Sequence, residues 1–144
     1  MPIDLTEFSD AINSALQESA VCVVATCGPD GPDVGFKGSV QVFDQERLSF
    51  WERTRGQHLA NLRSDPRVAV MYFNRARGKY LRMYGRAELY EEGPLRDQIM
   101  ARAPQPELER DPERNGIGVL ISVDRLLEPF SRTSQSRDAT ESAS

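Results

Sequence analysis

The chain has 144 residues, a formal net charge of −4, 39% apolar and 28% charged residues, which suits one water-soluble domain and offers nucleic acid no general electrostatic hold. Its reactive inventory is short: one His (His58), two Cys (Cys22 and Cys27), and Lys only at positions 37 and 79. That inventory excludes zinc fingers and ribbons, a two-His metal site and a disulfide framework, because no C-x2-C pair exists and the ligands are too few.

Residues 4–16 predict a helix. Leu5, Phe8, Ile12 and Leu16 recur at spacings of three and four, and Asp4 with Glu7 resembles a capping box. The period changes at residues 20–27, a Val-rich apolar run that predicts a strand. Gly28-Pro29-Asp30-Gly31-Pro32 then breaks it. Residues 33–43 alternate. Val34, Phe36, Val40 and Val42 form one side, and Asp33, Gly35, Lys37, Ser39 and Gln41 the other. The apolar side is expected to face the core.

A turn at residues 44–47 leads to a return strand at 48–52. A short helix is expected over 57–64, ended by Asp65-Pro66 because Pro disfavours helix before it. Residues 68–73 and 79–90 predict two more strands. In the second, Leu81, Met83, Ala87 and Leu89 oppose Tyr80, Arg82, Tyr84, Arg86 and Glu88. Residues 94–103 suit a helix with Pro in its first turn, 104–115 a polar loop, and 116–123 a last strand. Residues 131–144 are Ser/Thr-rich and charged, and predict a disordered tail after a single domain of residues 1–130. Hairpin-scale connections favour an antiparallel sheet closed into a small barrel over a parallel sheet with crossover helices. The first residues carry no apolar h-region and no run reaches membrane-span length. The protein is therefore expected in the cytoplasm, away from membranes.

Catalytic motifs are scarce. No G-x-G-x-x-G, Walker or G-x-S-x-G pattern is present. Lys37, Ser39 and Gln41 share a polar strand face that is either solvated or a ligand wall. Arg55, Gly56, Gln57 and His58 open a short helix, where free N–H groups and Arg attract anions, although an ordinary polar helix start reads the same way. Trp51, Tyr80, Arg82 and Tyr84 lie on the less apolar strand faces and could stack on a flat ligand or fill a subunit contact. Cys22 and Cys27 have odd spacing on one strand and cannot bridge each other, so buried inert thiols are expected.

The strand Val21-Cys22-Val23-Val24-Ala25-Thr26, the Gly-Pro turn and Lys37-Gly38-Ser39 come first in a set of motifs that continues along the chain. Leu48-Ser49-Phe50-Trp51, the run Asn61-Leu62-Arg63-Ser64-Asp65-Pro66-Arg67-Val68 and Tyr84-Gly85-Arg86-Ala87 follow in order. Together they resemble the FMN-binding split β-barrel family, which holds pyridoxamine 5′-phosphate oxidase-like and small FMN-binding proteins. The resemblance implies a mainly β, split antiparallel barrel, a homodimer with flavin at the subunit interface, and hydride or electron transfer through FMN. It implies that Lys37, Gly38, Ser39, Val40 and Gln41 line the ring and ribityl chain, partly through backbone groups. Trp51 would lie near the flavin, Gln57 and His58 with Arg55 would hold the phosphate, and Tyr80 would reach over from the partner, with Arg82 beside it. Gln57-His58 replaces the Arg-Lys pair of the vitamin B6 oxidases, and their C-terminal Trp is missing, which points away from vitamin B6 oxidation. Use of the deazaflavin F420 is the alternative within enzymes. A non-catalytic flavin- or haem-binding protein or sensor is the alternative outside them.

Overall fold

The structure is a computed structural model, and it describes residues 1–137. A 3-10 turn (Leu5–Phe8) runs into α1 (Ser9–Asn13), followed by β1 (Cys22–Gly28), β2 (Gly31–Lys37), β3 (Gln41–Val42) and β4 (Arg47–Glu52). Next come α2 (Gln57–Ser64), β5 (Arg67–Asn74), β6 (Lys79–Tyr90), α3 (Pro94–Arg102) and α4 (Gln105–Glu109). The described chain closes with β7 (Ile117–Glu128) and β8 (Thr133–Ser136). Every strand pairing is antiparallel, in the order β2-β1-β5-β6-β7-β4-β3, with β8 added to β7. β2 and β3 are consecutive in the chain yet lie at opposite ends of that order. Gly38-Ser39-Val40 therefore crosses the gap of a sheet that has curled into a split barrel.

The barrel is filled from its inner faces. Val24, Leu48, Phe50, Tyr72, Leu81, Val119 and Ile121 belong to one buried cluster, and Leu5, Phe8 and Ile12 close one end. A second cluster packs outside it: Phe43, Trp51 and Leu120 from the sheet meet Ile99 and Leu108 from α3 and α4. β7 is covered on both faces, which is why residues 117–121 read as a continuous apolar run instead of an alternation. Gly85 marks the β6–β7 register shift, and a Cβ there would overlap the Ser122 carbonyl.

Several expectations change. The helix expected over 4–16 is a 3-10 turn and the five-residue α1, and the strand expected over 116–123 runs on to Glu128. The single strand over 33–43 divides at Gly38-Ser39. Val40 and Val42 are buried, but Val34 and Phe36 are 64% and 76% exposed. The polar side of β2 turns inward instead, because α2 lies over it. A Cβ at Gly35 would come within 2.9 Å of His58 Nε2. The polar loop over 104–115 contains α4. The tail reading gives way at its start, since β8 pairs with β7 and Gln135 is buried. Gln135 accepts from Asp4 N–H at 2.9 Å and donates to Glu7 at 2.8 Å, taking the reciprocal bond that a capping box would have made within the helix. Residues 138–144 of that tail lie outside the described residues.

Candidate functional site

The crossover between β2 and β3, the end of β4 and the face of β5 enclose an open cleft of about 880 Å³. One wall is apolar, formed by Val23, Phe36, Met71 and Phe73. The floor carries Lys37, Gly38, Ser39, Trp51 and Glu52, and the far rim carries Arg53, Thr54, Glu107 and Arg110. An apolar wall with a few convergent polar groups is what a small-molecule site needs.

Lys37 Nζ donates to both Glu52 oxygens, at 2.8 and 2.6 Å, and Glu52 is 1% exposed. The floor is thus a buried ion pair held by two charge-assisted hydrogen bonds, and its net charge is close to zero. Ser39 Oγ accepts from Trp51 N–H at 2.9 Å and donates to Trp51 O at 3.1 Å, which ties the crossover to β4. The Trp51 indole is buried, donates to Asp111 Oδ2 at 2.9 Å, and lies under the Arg96 guanidinium at 4.8 Å. Burial opposes ionisation of Asp111. The Asn115 N–H, the indole and the Gly116 N–H outweigh it and hold the carboxyl below its usual range.

Of the residues implicated by sequence, Lys37, Gly38, Ser39 and Trp51 meet at the cleft. Val40 is in the barrel core, and Gln41 pairs with Ser49 in β3. Arg55 adopts a left-handed conformation (φ 51°) and donates Nε and Nη2 to the Asn115 carbonyl at 2.9 and 2.6 Å. Gln57 donates to Asn61 at 2.7 Å, and Asn61 donates to Thr26 Oγ1 at 3.0 Å. His58 Nδ1 lies 3.0 Å from that same hydroxyl. The arrangement that leaves no buried hydroxyl proton unpaired has Thr26 donating to Nδ1, so that Nε2 carries the ring proton. Nε2 is buried and makes no hydrogen bond; the nearest carboxylate, Asp33, is 3.8 Å away. Burial, reinforced by Lys37, lowers the affinity of this imidazole for a second proton. None of Arg55, Gln57 and His58 lines the cleft.

Tyr80 and Arg82 occupy the outer face of β6. Tyr80 makes edge contacts with Phe73 and Phe130, with ring centroids 6.2 and 5.6 Å apart. Arg82 lies opposite Met71. Val34, Phe36, Met71, Phe73 and Phe130 are the exposed large apolar residues of this region. Through Phe36, Met71 and Phe73 this face runs directly into the cleft. Sequence reasoning missed Glu52, Arg53, Glu107 and Arg110. Glu52 and Arg53 follow an apolar strand and read as its polar end, and no local signal marks the other two as cleft residues. Burial pushes the Cys22 thiol up to about 12, in keeping with an inert core residue. Among the described residues no His/Cys/Asp/Glu group is placed to hold a metal, and no helix is long and apolar enough to cross a membrane.

Residues 8–123 match the family model described as pyridoxamine 5′-phosphate oxidase. No curated protein sequence matches the chain. Among solved structures, a variant of HupZ from Group A Streptococcus is similar at 25% identity and TM-score 0.64, over 85% of this chain and 96% of that one. An FMN-binding protein from Syntrophomonas wolfei is similar at 14% identity and TM-score 0.63, over 85% and 86% of the two chains. An F420 reductase is similar at 20% identity and TM-score 0.56, over 79% and 94%. The last two likenesses are of fold.

Proposed function

The chain belongs to the pyridoxamine 5′-phosphate oxidase family, whose model it matches over residues 8–123, and on that premise we propose that its cleft binds a flavin-type cofactor, FMN first, between two copies of the chain. The observation that carries this reading is the continuity of the cleft with the exposed face of β2, β1, β5 and β6. An apolar wall that runs out onto an uncovered sheet face is half of a site. A second copy laid on that face would bury Phe36, Phe73 and Phe130, and would bring its own Tyr80 and Arg82 toward the cleft.

The residues present fit such a cofactor. Phe36, Met71 and Phe73 would take the flat ring face, and the Lys37-Gly38-Ser39 crossover would meet its polar edge. Bound FMN supplies hydride or electron transfer. The chain's own residues bind, orient and exclude water. Lys37 has one N–H beyond its two bonds to Glu52 and would offer it to the ring. Trp51, clamped between Asp111 and Arg96, would hold Ser39 and the crossover in place instead of stacking on the ring. His58 would act from behind β2, as a neutral spacer over Gly35.

The visible absorption spectrum of the purified chain tests this. Flavin bands, with FMN released on denaturation, support it. A colourless protein whose spectrum responds neither to added FMN nor to F420 overturns it. Response to F420 alone moves the assignment to the deazaflavin.

A further inference from the structure

Two ion pairs line the cleft, and they differ in how far they are withdrawn from water. The side chains of Arg53 and Glu107 are 28% and 14% exposed, whereas those of Lys37 and Glu52 are 11% and 1% exposed. Both Glu52 oxygens accept from the one ammonium, and Lys37 Nζ also lies 5.8 Å from the centroid of the buried Phe50 ring. The pair is thus backed by apolar core, where water screens a charge poorly. Its open side is the cleft, next to Phe36 and Gly38. Folding gives no reason for such a pair, because apolar residues of similar volume are often as stable in its place. Its effect falls on the occupant of the cleft. Lys37 alone would make the floor cationic, and Glu52 cancels that charge one for one.

We propose that Glu52 sets the redox preference of the site: by cancelling the Lys37 charge, it lets the oxidised cofactor and its reduced, anionic form bind nearly alike. The inference rests on the flavin reading and deepens it. Two electrons and one proton added to a flavin ring leave one negative charge on it. A site shifts that equilibrium only by its differential affinity for the two forms. An unmatched ammonium on the floor would hold the anion more tightly than the neutral oxidised ring, and so would keep electrons on the cofactor. With Glu52 in place the floor has no such preference, and the cofactor can give up electrons as readily as it takes them. Glu52 is a positioning residue in this account, since it acts on the cofactor through Lys37 and the charge of the floor.

The test is titration of the full chain with oxidised FMN and, separately, with FMN reduced by dithionite, which supplies the electrons and becomes bisulfite while solvent supplies the proton. The parent chain is expected to bind the two forms within about threefold of each other. Glu52→Gln keeps the shape and an acceptor for Lys37. It is expected to favour the reduced form about tenfold more than the parent does, which raises the two-electron midpoint of bound FMN by about 30 mV. Lys37→Met with Glu52→Leu makes the floor neutral again, and is expected to keep the parent's preference within about threefold, whatever its absolute affinity. A Glu52→Gln preference equal to the parent's overturns the inference and leaves the flavin reading standing. So does a parent chain that itself favours the reduced form tenfold or more, a measurement that needs no variant to fold. If the parent binds FMN in neither form, the flavin reading fails and the inference falls with it.

Discussion

Two polar clusters meet the same inward face of β2, one over Gly35 and one at Lys37. The first runs Gln57, Asn61, Thr26 and His58, each side chain passing its hydrogen bond to the next. The second runs Lys37, Glu52, Arg53 and Glu107, as two separate ion pairs on the floor and rim of an open cleft. Both draw on residue types that sequence reasoning assigns to phosphate binding. The first ties Gln57, Asn61, Thr26 and His58 to one another, and its one buried atom without a partner, His58 Nε2, lies against Gly35 of β2. The second keeps a spare Lys37 N–H and, on the rim, Arg110, which has no carboxylate partner among the described residues. Unused bonding capacity, more than the presence of Arg or His, separates a receptor from a strut.

That distinction can be broken from either side. The largest effect is expected at the floor. Lys37→Met strands the Glu52 carboxylate in the interior and should cost about 3–5 kcal/mol in urea unfolding. Adding Glu52→Leu should recover most of that loss, because no buried charge then remains unpaired. In the first cluster, Thr26→Val removes the hydroxyl shared by Asn61 and His58 and should cost about 1–3 kcal/mol. Flavin affinity should not follow it, which separates strut from receptor.

The same cluster makes stability depend on pH. His58 binds its second proton less readily in the fold than its ordinary value of 6.5 implies, through burial and then Lys37. The unfolded chain therefore takes up that proton first. Its contribution is full above pH 6.5, falls as pH drops below 6.5, and levels off below the folded-state pKa. Urea midpoints across pH 4.5–7.5 should show His58→Asn lacking this component relative to the parent chain. The smallest effect on folding is expected on the outer face. Phe36→Asp should alter monomer stability by no more than about 0.5 kcal/mol, since the side chain is 76% exposed. Sedimentation should nonetheless show self-association lost, because the substitution places a charge on the face offered to the second copy.

Much of the fold is legible in the sequence. Residues 57–64 and 79–90 are bounded by Gly, Pro or turn residues, and α2 and β6 begin and end there. The inward row of Leu81, Met83 and Ala87 follows directly from period-two alternation. The facing of β2 is not legible. Alternation gives two faces but does not say which one is covered, and at an edge strand of a half-barrel a dimer partner and a core ask for the same apolar residues. β8 escapes for a related reason. Its residues, Thr133–Ser136, are polar, and it is held by β7 and by Gln135 bridging to Asp4 and Glu7, contacts about 130 positions away in the chain. At the site, local motifs locate the crossover at Lys37-Gly38-Ser39. They miss Glu107 and Arg110, which reach the cleft only because Leu108 anchors α4 in the second core cluster.

The central claim is that flavin binds at the Lys37-Gly38-Ser39 crossover, against the apolar wall of Phe36, Met71 and Phe73. Backbone amide shifts of the isotope-labelled chain, followed as FMN is added, test this most directly. Gly38, Ser39, Met71 and Phe73 are expected to move saturably. Saturable movement elsewhere with a silent crossover and apolar wall would contradict it.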